Sequence, residues 1–490
     1  MTQPSTQVTV GEKAIRSVKW TALSELVSRT AAPLVVVILA RLLTPADFGV
    51  VATAMIAISF AQMFWEAGLG KALVQTEETP AGAANVVFWT NLVLGLVIYA
   101  LLFVFAPWLA IFFDSPASGP VLRVLGLQIV IGSLSSVQHA LFVRDLDFRR
   151  VFWINLLTAA VPGAFSIPLA LYGYGVWALV AGSLVGQVLN LLLSWHFSSW
   201  RPTLSYDIRI ARSMVRFGSW IVIGTLGTWL ISWGDSLILG KFLGVEDLGV
   251  YRTAWVMASM AFAAILNPFI SILYPAFSRL QNDSTMLTDY FSRANRIVIS
   301  LCMPIGIGLF VLGPDIASTV FGDKWEGLGT ALRVMGLLFG LSWTVGINAE
   351  VYRAIGRPDV STKLVLLGVC YYYPAYFVAA PFGLDAFLWV RLAVALVAIP
   401  MHVYLGRKML GLPWLYLWHH GRSFIAAAVV MGLGVRCLQS GLRSLELGAH
   451  PALELAVLVT LGIGIYAALV WLVEREFVVN LMQLVRRAAV

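Results

Sequence analysis

The sequence predicts an all-α, polytopic membrane protein with 14 transmembrane helices, and three observations carry that prediction. Only 12% of the 490 residues are charged, about half the share found in a soluble domain, while 59% are apolar. Apolar runs recur from Thr21 to Val473, each long enough for a helical span of about 20 residues. A repeat at a constant offset of 200 residues sets the second half of these runs in register with the first. At about 20 residues each, such spans use roughly 280 of the 490 residues and leave no room for a separate catalytic domain.

In order, the spans are expected at 20–42, 48–69, 84–109, 122–143, 151–171, 174–195, 217–240, 249–276, 291–313, 328–350, 361–380, 384–405, 422–440 and 452–473. They are longer than barrel strands and lack strict alternation, so their backbone groups are satisfied within helices. The segment MTQPSTQVTVGEKAIRSVKW ahead of the first span is polar and basic with no small-residue cleavage pattern, and is expected to be retained as a cytoplasmic segment. Between the fifth and sixth spans, YGYG at 172–175 reads as a tight loop and not as a potassium filter, which needs a pore-helix context. The longest polar connection, from about Ser198 to Phe217, alternates Arg with apolar residues. It suits an amphipathic helix on the cytoplasmic face, or an interlobe linker with ordinary topogenic charge.

The repeat pairs LARLLTPADFGV at 39–50 with LGKFLGVEDLGV at 239–250, matching Leu39, Arg41, Leu43, Asp47, Gly49 and Val50 to Leu239, Lys241, Leu243, Asp247, Gly249 and Val250. Six spans separate the copies, so two six-helix lobes of the same orientation are expected, related by an axis along the membrane normal. This gives an N-terminal lobe over 1–197, a linker over 198–216, a second lobe over 217–410, and two further spans with a tail over 411–490.

The net charge of +8, from 33 basic and 25 acidic residues, is read by location. Basic residues gather in alternate loops, among them Lys13, Arg16, Lys19, Arg149, Arg150, Arg209, Arg212, Arg216, Arg407 and Lys408. The positive-inside tendency then puts both termini in the cytoplasm and requires an even number of spans. This dispersal argues against nucleic acid as a partner. Cys302, Cys370 and Cys437 fall in or beside spans without a CxxC pair, so neither disulfides nor zinc are expected.

A smaller set of charges lies within or beside spans, where burial is costly unless the charge is used or paired. Glu25 and Arg29 share a face of the first span, either as the wall of an aqueous cavity open to an anion or as a helix–helix bridge. Glu66 and Lys71 close the second span, where Lys71 also suits the headgroup level. Asp235 stands in WLISWGDSLILG beside Gly234 and is the leading candidate for ion coupling, with a structural hydrogen bond as the bland alternative. Arg252 opens the eighth span, Glu350 and Arg353 end the tenth as a surface pair or a binding pair, and Arg391 in the twelfth has no acidic residue in the turn after it. Tyr371, Tyr372 and Tyr373 beside Pro374 are expected to pack, or to stack on a sugar. There is no GxxxxGK, HExxH or GxSxG string, which argues against nucleotide hydrolysis and against the corresponding hydrolases.

The string LARLLTPADFGVVATA at 39–54 resembles the signature of the polysaccharide flippases, the oligosaccharide-exporting branch of the multidrug/oligosaccharidyl-lipid/polysaccharide exporter superfamily. LRVLGLQIVIGSLSSVQHALFVRDLDFRR at 122–150, GDSLILGKFLGVEDLGVYRTA at 234–254, NPFISILYPAFSRLQND at 267–283 and VFGDKWEGLG at 320–329 resemble it in order, so the likeness covers at least residues 14–405. It implies two six-helix lobes in a V, as in the multidrug exporters, with two extra helices here. It also implies movement of a polyprenyl-pyrophosphate-linked oligosaccharide from the cytoplasmic to the periplasmic leaflet of the bacterial inner membrane by alternating access. On this view Arg29, Lys71, Arg252, Arg353 and Arg391 are substrate-binding candidates. Glu25, Glu66, Asp235 and Glu350 are ion-coupling or charge-balancing candidates, and no residue is catalytic. No cofactor is expected beyond coupling to a proton or sodium gradient. Partners are membrane lipids, the lipid-linked oligosaccharide, and polysaccharide polymerase and export machinery. The alternatives are a membrane-embedded polymerase or ligase, a scaffold of a polysaccharide assembly complex, and a cation-coupled drug exporter, the last weakened by Arg29 beside Glu25.

Overall fold

The computed structural model describes residues 34–64, 73, 80–145, 147–444 and 450–489, and every regular element among them is helical. Eleven helices among these residues are long and apolar enough to cross a membrane. The chain divides into two compact units, Met1–Arg252 and Thr253–Val490.

In the first unit, residues 34–42 are helical and α1 (Pro45–Phe64) follows at once. Thr44 and Asp47 fix its start as a reciprocal cap: the Thr44 N–H donates to Asp47 Oδ2 at 3.0 Å and the Asp47 N–H to Thr44 Oγ1 at 3.3 Å. Pro45, with no N–H to satisfy, takes the first helical position. Next come α2 (Pro80–Phe112), α3 (Ser118–Leu125), α4 (Leu127–Arg144), α5 (Phe148–Leu171) and α6 (Val176–Phe197). The α5–α6 turn is a tight loop, as its sequence predicts, with Gly173 and Gly175 at φ 83° and 55°. α2 turns Val104, Trp108 and Ile111 outward, as a helix facing lipid tails does at no cost.

The connection after α6 differs from expectation. Residues 198–207 are non-helical, and from Ile208 the chain enters α7 (Ile208–Leu280), so Arg209, Arg212 and Arg216 occupy the first turns of a long helix instead of a separate surface helix. Asp207 starts it by accepting from the Arg209 backbone N–H at 2.8 Å. The seventh and eighth expected spans both lie in α7, broken at Gly244, whose φ of 85° and ψ of −177° interrupt the helical path. That conformation suits glycine because a Cβ strains the left-handed region. The arm before Gly244 belongs to the first unit: Trp229 Nε1 donates to Ser59 Oγ at 3.0 Å, Phe113 packs on Gly240, and Lys241 pairs with Asp114 at 3.7 Å.

The second unit continues with α8 (Ser284–Ile316), α9 (Leu328–Ser342), α10 (Asn348–Ala354), α11 (Pro358–Ala379), α12 (Leu384–Leu410), α13 (Tyr416–Ser444), α14 (Pro451–Val473) and α15 (Arg475–Ala489). Asp283 caps α8 through the Thr285 and Met286 N–H groups. The expected span 328–350 is not continuous, because tightened turns of the i→i+3 kind over Trp343–Gly346 separate α9 from α10. α8 is the hub, packed against α9, α12, α13 and α14. Its seam with α9 is made by glycines: a Cβ on Gly306 lies 2.9 Å from the Gly336 carbonyl oxygen, and one on Gly313 lies 2.9 Å from that of Gly329. Small residues let helix backbones close to this distance in a bilayer, where tail-like side chains gain nothing by leaving lipid.

Gly336→Ala puts a Cβ 2.5 Å from Leu309 Cβ, whereas the same change at Gly308 meets nothing within 4 Å. Thermal unfolding in detergent should show G336A destabilised by about 1–3 kcal/mol and G308A unchanged or slightly stabilised; equal effects contradict the close seam.

Candidate functional site

Among the described residues, Asp235 and Arg391 are the charged side chains that are fully buried, at 2% and 8% exposure. Asp235 lies nine residues before the Gly244 break and Arg252 eight residues after it. At 1.5 Å per residue both sit roughly 12–14 Å along their arms from the break. Two positions singled out separately in the sequence thus meet at one depth of a helical hairpin in the first unit.

The Asp235 carboxylate is fully engaged as an acceptor. Its Oδ2 accepts from the Tyr251 hydroxyl at 2.6 Å, and its Oδ1 accepts from Ser236 Oγ at 3.0 Å and from the Ser236 backbone N–H. Arg252 interacts with it electrostatically, lays its guanidinium 3.9 Å from the centroid of the Trp233 ring, and donates to the Ser232 carbonyl at 3.3 Å. Tyr251 is wholly buried, whereas Arg252 is half-buried. Such a site holds a negative charge in place and sets a ring-stacked guanidinium beside it. Tyr251, Ser236 and Trp233 were not anticipated. The signal was present in their spacing about Gly244, because residues seven to eleven steps either side of a hairpin turn come to the same level.

Two cavities open in the same unit. A groove of about 800 Å³ is lined by Phe64, Trp89, Val93, Val97, Val215 and Val222, among others, and is almost wholly apolar. At its rim, Trp89 Nε1 donates to the Thr203 carbonyl at 2.9 Å and the Thr90 and Tyr206 hydroxyls lie 3.2 Å apart. Beside it, the Arg209 guanidinium and backbone N–H hold the Asp207 carboxyl below the usual carboxylate range. A second pocket of about 380 Å³ has polar walls that include Gln128, Thr158, Ser166, Ser183, Gln187 and Asn190.

In the second unit, Arg391 is carried by α12. Arg353 forms an ion pair with Glu350 one turn away and its guanidinium lies 6.0 Å from the Tyr274 ring centroid, the arrangement of a paired, half-exposed side chain. Two groupings there escaped the sequence reading. Arg296 pairs with Glu474, which also accepts from Ser423, and the Arg296 guanidinium lies beside the Phe424–Phe477 ring pair, 5.7 and 5.0 Å from the two centroids. Tyr352 stacks on His402 with ring centroids 6.0 Å apart, and Asn348 Nδ2 reaches the Tyr352 hydroxyl at 3.3 Å. Tyr371 and Tyr372 pack on one another, and Tyr372 stacks on Tyr376. Glu25, Arg29, Glu66 and Lys71 lie outside the described residues. Among the described residues no group of three or more His, Cys, Asp or Glu side chains is arranged to hold a metal ion.

Residues 38–329 match the family described as polysaccharide biosynthesis protein. The chain is 26% identical to the succinoglycan biosynthesis transport protein ExoT of Rhizobium meliloti, over 98% of this chain and 97% of that one. It is also 26% identical to the lipopolysaccharide biosynthesis protein WzxC of Escherichia coli, over 74% of each. Its fold is similar to that of the lipid II flippase MurJ in an inward closed conformation, with a TM-score of 0.74, 12% identity, and coverage of 95% of this chain and 100% of that one. An inward-facing multidrug resistance MATE family transporter of the MOP superfamily matches with a TM-score of 0.63 at 16% identity, over 78% of this chain and 94% of that one.

Removing the Tyr251 hydroxyl leaves a buried carboxylate short of a donor. Tyr251→Phe should therefore destabilise the detergent-solubilised protein by about 1.5–3 kcal/mol, read as a fall in unfolding temperature, and Asp235→Asn with Tyr251→Phe should cost less than the sum of the two single changes.

Proposed function

The chain belongs to the polysaccharide biosynthesis protein family, and from that membership we propose that it flips a polyprenyl-pyrophosphate-linked oligosaccharide repeat unit from the cytoplasmic to the periplasmic leaflet of the inner membrane. The product feeds exopolysaccharide, capsule or O-antigen synthesis. The observation that carries this reading is the nearly end-to-end similarity to a succinoglycan biosynthesis transport protein. The architecture proposed is fourteen spans in two six-helix lobes plus two further helices, with both termini cytoplasmic.

In this reading the pyrophosphate is drawn by intramembrane bases, with Arg252 and Arg391 as its principal partners and Arg29, Lys71 and Arg353 as further candidates. Burial supports the first two: Arg391 is inside α12's packing, and Arg252 is held by Trp233 and balanced by Asp235. Arg353 is the weaker candidate because Glu350 already engages it. The polyprenyl chain stays among lipid tails, and the apolar groove beside α2 offers it a matching wall.

Asp235 is the proposed coupling group, with Glu25, Glu66 and Glu350 as charge-balancing candidates. Its carboxylate oxygens accept from the Tyr251 hydroxyl and from the Ser236 hydroxyl and N–H. A proton on either oxygen turns that oxygen into a donor and displaces Tyr251 or Ser236. It also removes the charge that balances Arg252, leaving the guanidinium to a diphosphate. Proton uptake and anion binding are linked in this way through one pair, and a sodium ion on the carboxylate has the same electrostatic effect. The polysaccharide polymerase and export machinery are the proposed downstream partners.

The test is translocation in liposomes containing the purified protein and a labelled polyprenyl-pyrophosphate oligosaccharide, with and without an imposed proton or sodium gradient. Protein-dependent loss of label protection is expected, and its absence with verified substrate overturns the proposal. Arg252→Gln and Arg391→Gln should each lower the initial rate at sub-saturating substrate by about tenfold, the scale of one lost charge-assisted hydrogen bond. Asp235→Asn should retain some flipping while losing its response to the gradient.

A further inference from the structure

A polar chamber inside a membrane-spanning unit needs a reason, because each amide or hydroxyl turned into it has to be answered by protein, water or a ligand. The pocket of about 380 Å³ in the first unit is such a chamber. The helix at 34–42 gives it an apolar wall of Val35 and Leu39, and α4, α5 and α6 give it polar ones. Its floor is close-packed: a Cβ on Gly186 of α6 lies 3.1 Å from Pro162 Cγ of α5. None of its described lining residues is charged.

The hydrogen bonds already made in the pocket determine what it offers. Thr158 and Ser166 turn their hydroxyl protons onto their own helix, to the Ile154 carbonyl at 2.8 Å and the Pro162 carbonyl at 2.7 Å, so their oxygens remain as acceptors. Ser183 Oγ accepts from Gln128 Nε2 at 2.7 Å, which leaves the Ser183 proton to be donated. Asn190 uses its carbonyl oxygen on the Ser194 hydroxyl at 3.4 Å and keeps its NH2. Gln187, three residues earlier, commits neither end of its amide to another described residue. Donors and acceptors therefore stand side by side. A metal cation calls for acceptors and negative charge, and a phosphate for donors and positive charge. A sugar ring, each of whose hydroxyls both donates and accepts, calls for the mixture.

The depth of the pocket agrees with that of the charged pair. Gly175 in the α5–α6 turn adjoins the start of α1, where a Cβ on it lies 3.3 Å from Asp47 Oδ1, and Gly49 of α1 packs on the Val245 carbonyl next to the α7 break. The α5–α6 turn and the Gly244 break thus lie at the same end of the unit. Counted from Val176, Ser183 and Gln187 stand roughly 10 and 16 Å along α6. Asp235 and Arg252 stand roughly 12–14 Å from their break. The neutral polar pocket and the charged pair occupy one level of the first unit.

We propose that this pocket is a subsite for one neutral sugar ring of the transported oligosaccharide, with Gln187, Asn190 and Ser183 donating to its hydroxyls and Thr158 and Ser166 accepting from them. The subsite rests on the flippase reading for the source of the sugar, and on the pocket's own chemistry for the class of ligand. The ring's C–H groups lie against Val35 and Leu39. A uronic acid is disfavoured, because its carboxylate meets no cation among the described lining residues.

The reporter is Leu179→Cys, which lines the pocket without joining its hydrogen bonds, in a chain carrying Cys302→Ser, Cys370→Ser and Cys437→Ser. The detergent-solubilised protein is labelled with a charged methanethiosulfonate. The protectant is the oligosaccharide freed by mild acid from the lipid-linked precursor of the cells that make the protein. The reporter should react, because a polar chamber open to solutes is wet. The oligosaccharide should slow the reaction by about tenfold once it exceeds its dissociation constant tenfold, while sodium chloride and sodium pyrophosphate at the same concentration leave the rate unchanged. Gln187→Leu and Asn190→Leu should each weaken the protecting affinity by about fivefold, the scale of one neutral hydrogen bond. A reporter that does not react, no protection up to the solubility limit of the oligosaccharide, or equal protection by either salt overturns the subsite. Monodisperse leucine variants that bind as the parent does overturn it too, and if a leucine variant does not fold, the parent reporter decides. No translocation enters this assay. Protection without flipping in liposomes therefore contradicts the transport reading and leaves the pocket standing, whereas flipping without protection does the reverse.

Discussion

A carboxylate inside a bilayer has to be answered by its own protein, because no water is available to do so. Asp235 is the clearest case in this chain, and much of the first unit follows from how it is answered. Its donors come from both arms of α7: Ser236 is its neighbour, while Tyr251 arrives from beyond the Gly244 break. The hairpin must therefore fold back at a fixed length for the charge to be satisfied. Glycine at 244 supplies the left-handed φ at which the chain breaks, and the pairing of Lys241 with Asp114 and of Trp229 with Ser59 holds the first arm against its unit. Satisfying one buried charge thus fixes the register of two long helices and brings Arg252 to the same level.

The two units use backbone proximity differently. In the second, Gly306, Gly313, Gly329, Gly336 and Gly340 extend the α8–α9 contact along several turns, and α8 gathers further helices around it. Such a seam behaves as one rigid piece, since separating it loses many close contacts together. In the first, α1 meets α7 both through the close Gly49–Gly249 approach and through Ser59 and Phe60 against Trp229.

Much of this was legible in the sequence, for identifiable reasons. The spans follow from composition, because a bilayer admits few backbone solutions, and Asp235, Arg252 and Arg391 stand out because charge is rare there. The Glu350–Arg353 pair follows from helical spacing alone. Other features needed three dimensions. Nothing in the hydropathy of 328–350 separates a continuous span from the turns at Trp343–Gly346, because both are apolar. Arg296 and Glu474 are 178 positions apart, and each reads as a loop charge until α8 and α14 are placed side by side. The Arg209–Arg216 stretch has the pattern of a surface helix, yet it continues into α7, since a good N-terminal cap at Asp207 and an apolar run beyond make one helix out of both.

The repeat itself was legible, but its two copies are not chemically equal, and the difference bears on mechanism. Thr44 and Asp47 cap α1 with a reciprocal pair of hydrogen bonds that fixes the direction of its first turn. The equivalent position in the second copy is Gly244, where a Cβ meets nothing within 4 Å and the backbone alone sets the angle. A capped start resists reorientation, whereas an uncrowded glycine with broad φ freedom permits it. The arm that follows Gly244 is the one that carries Tyr251 and Arg252. Moving that arm shifts the donor to Asp235 and its compensating charge together. The asymmetry within a symmetric pair therefore places the donor and the guanidinium that answer Asp235 on the arm whose start is uncapped.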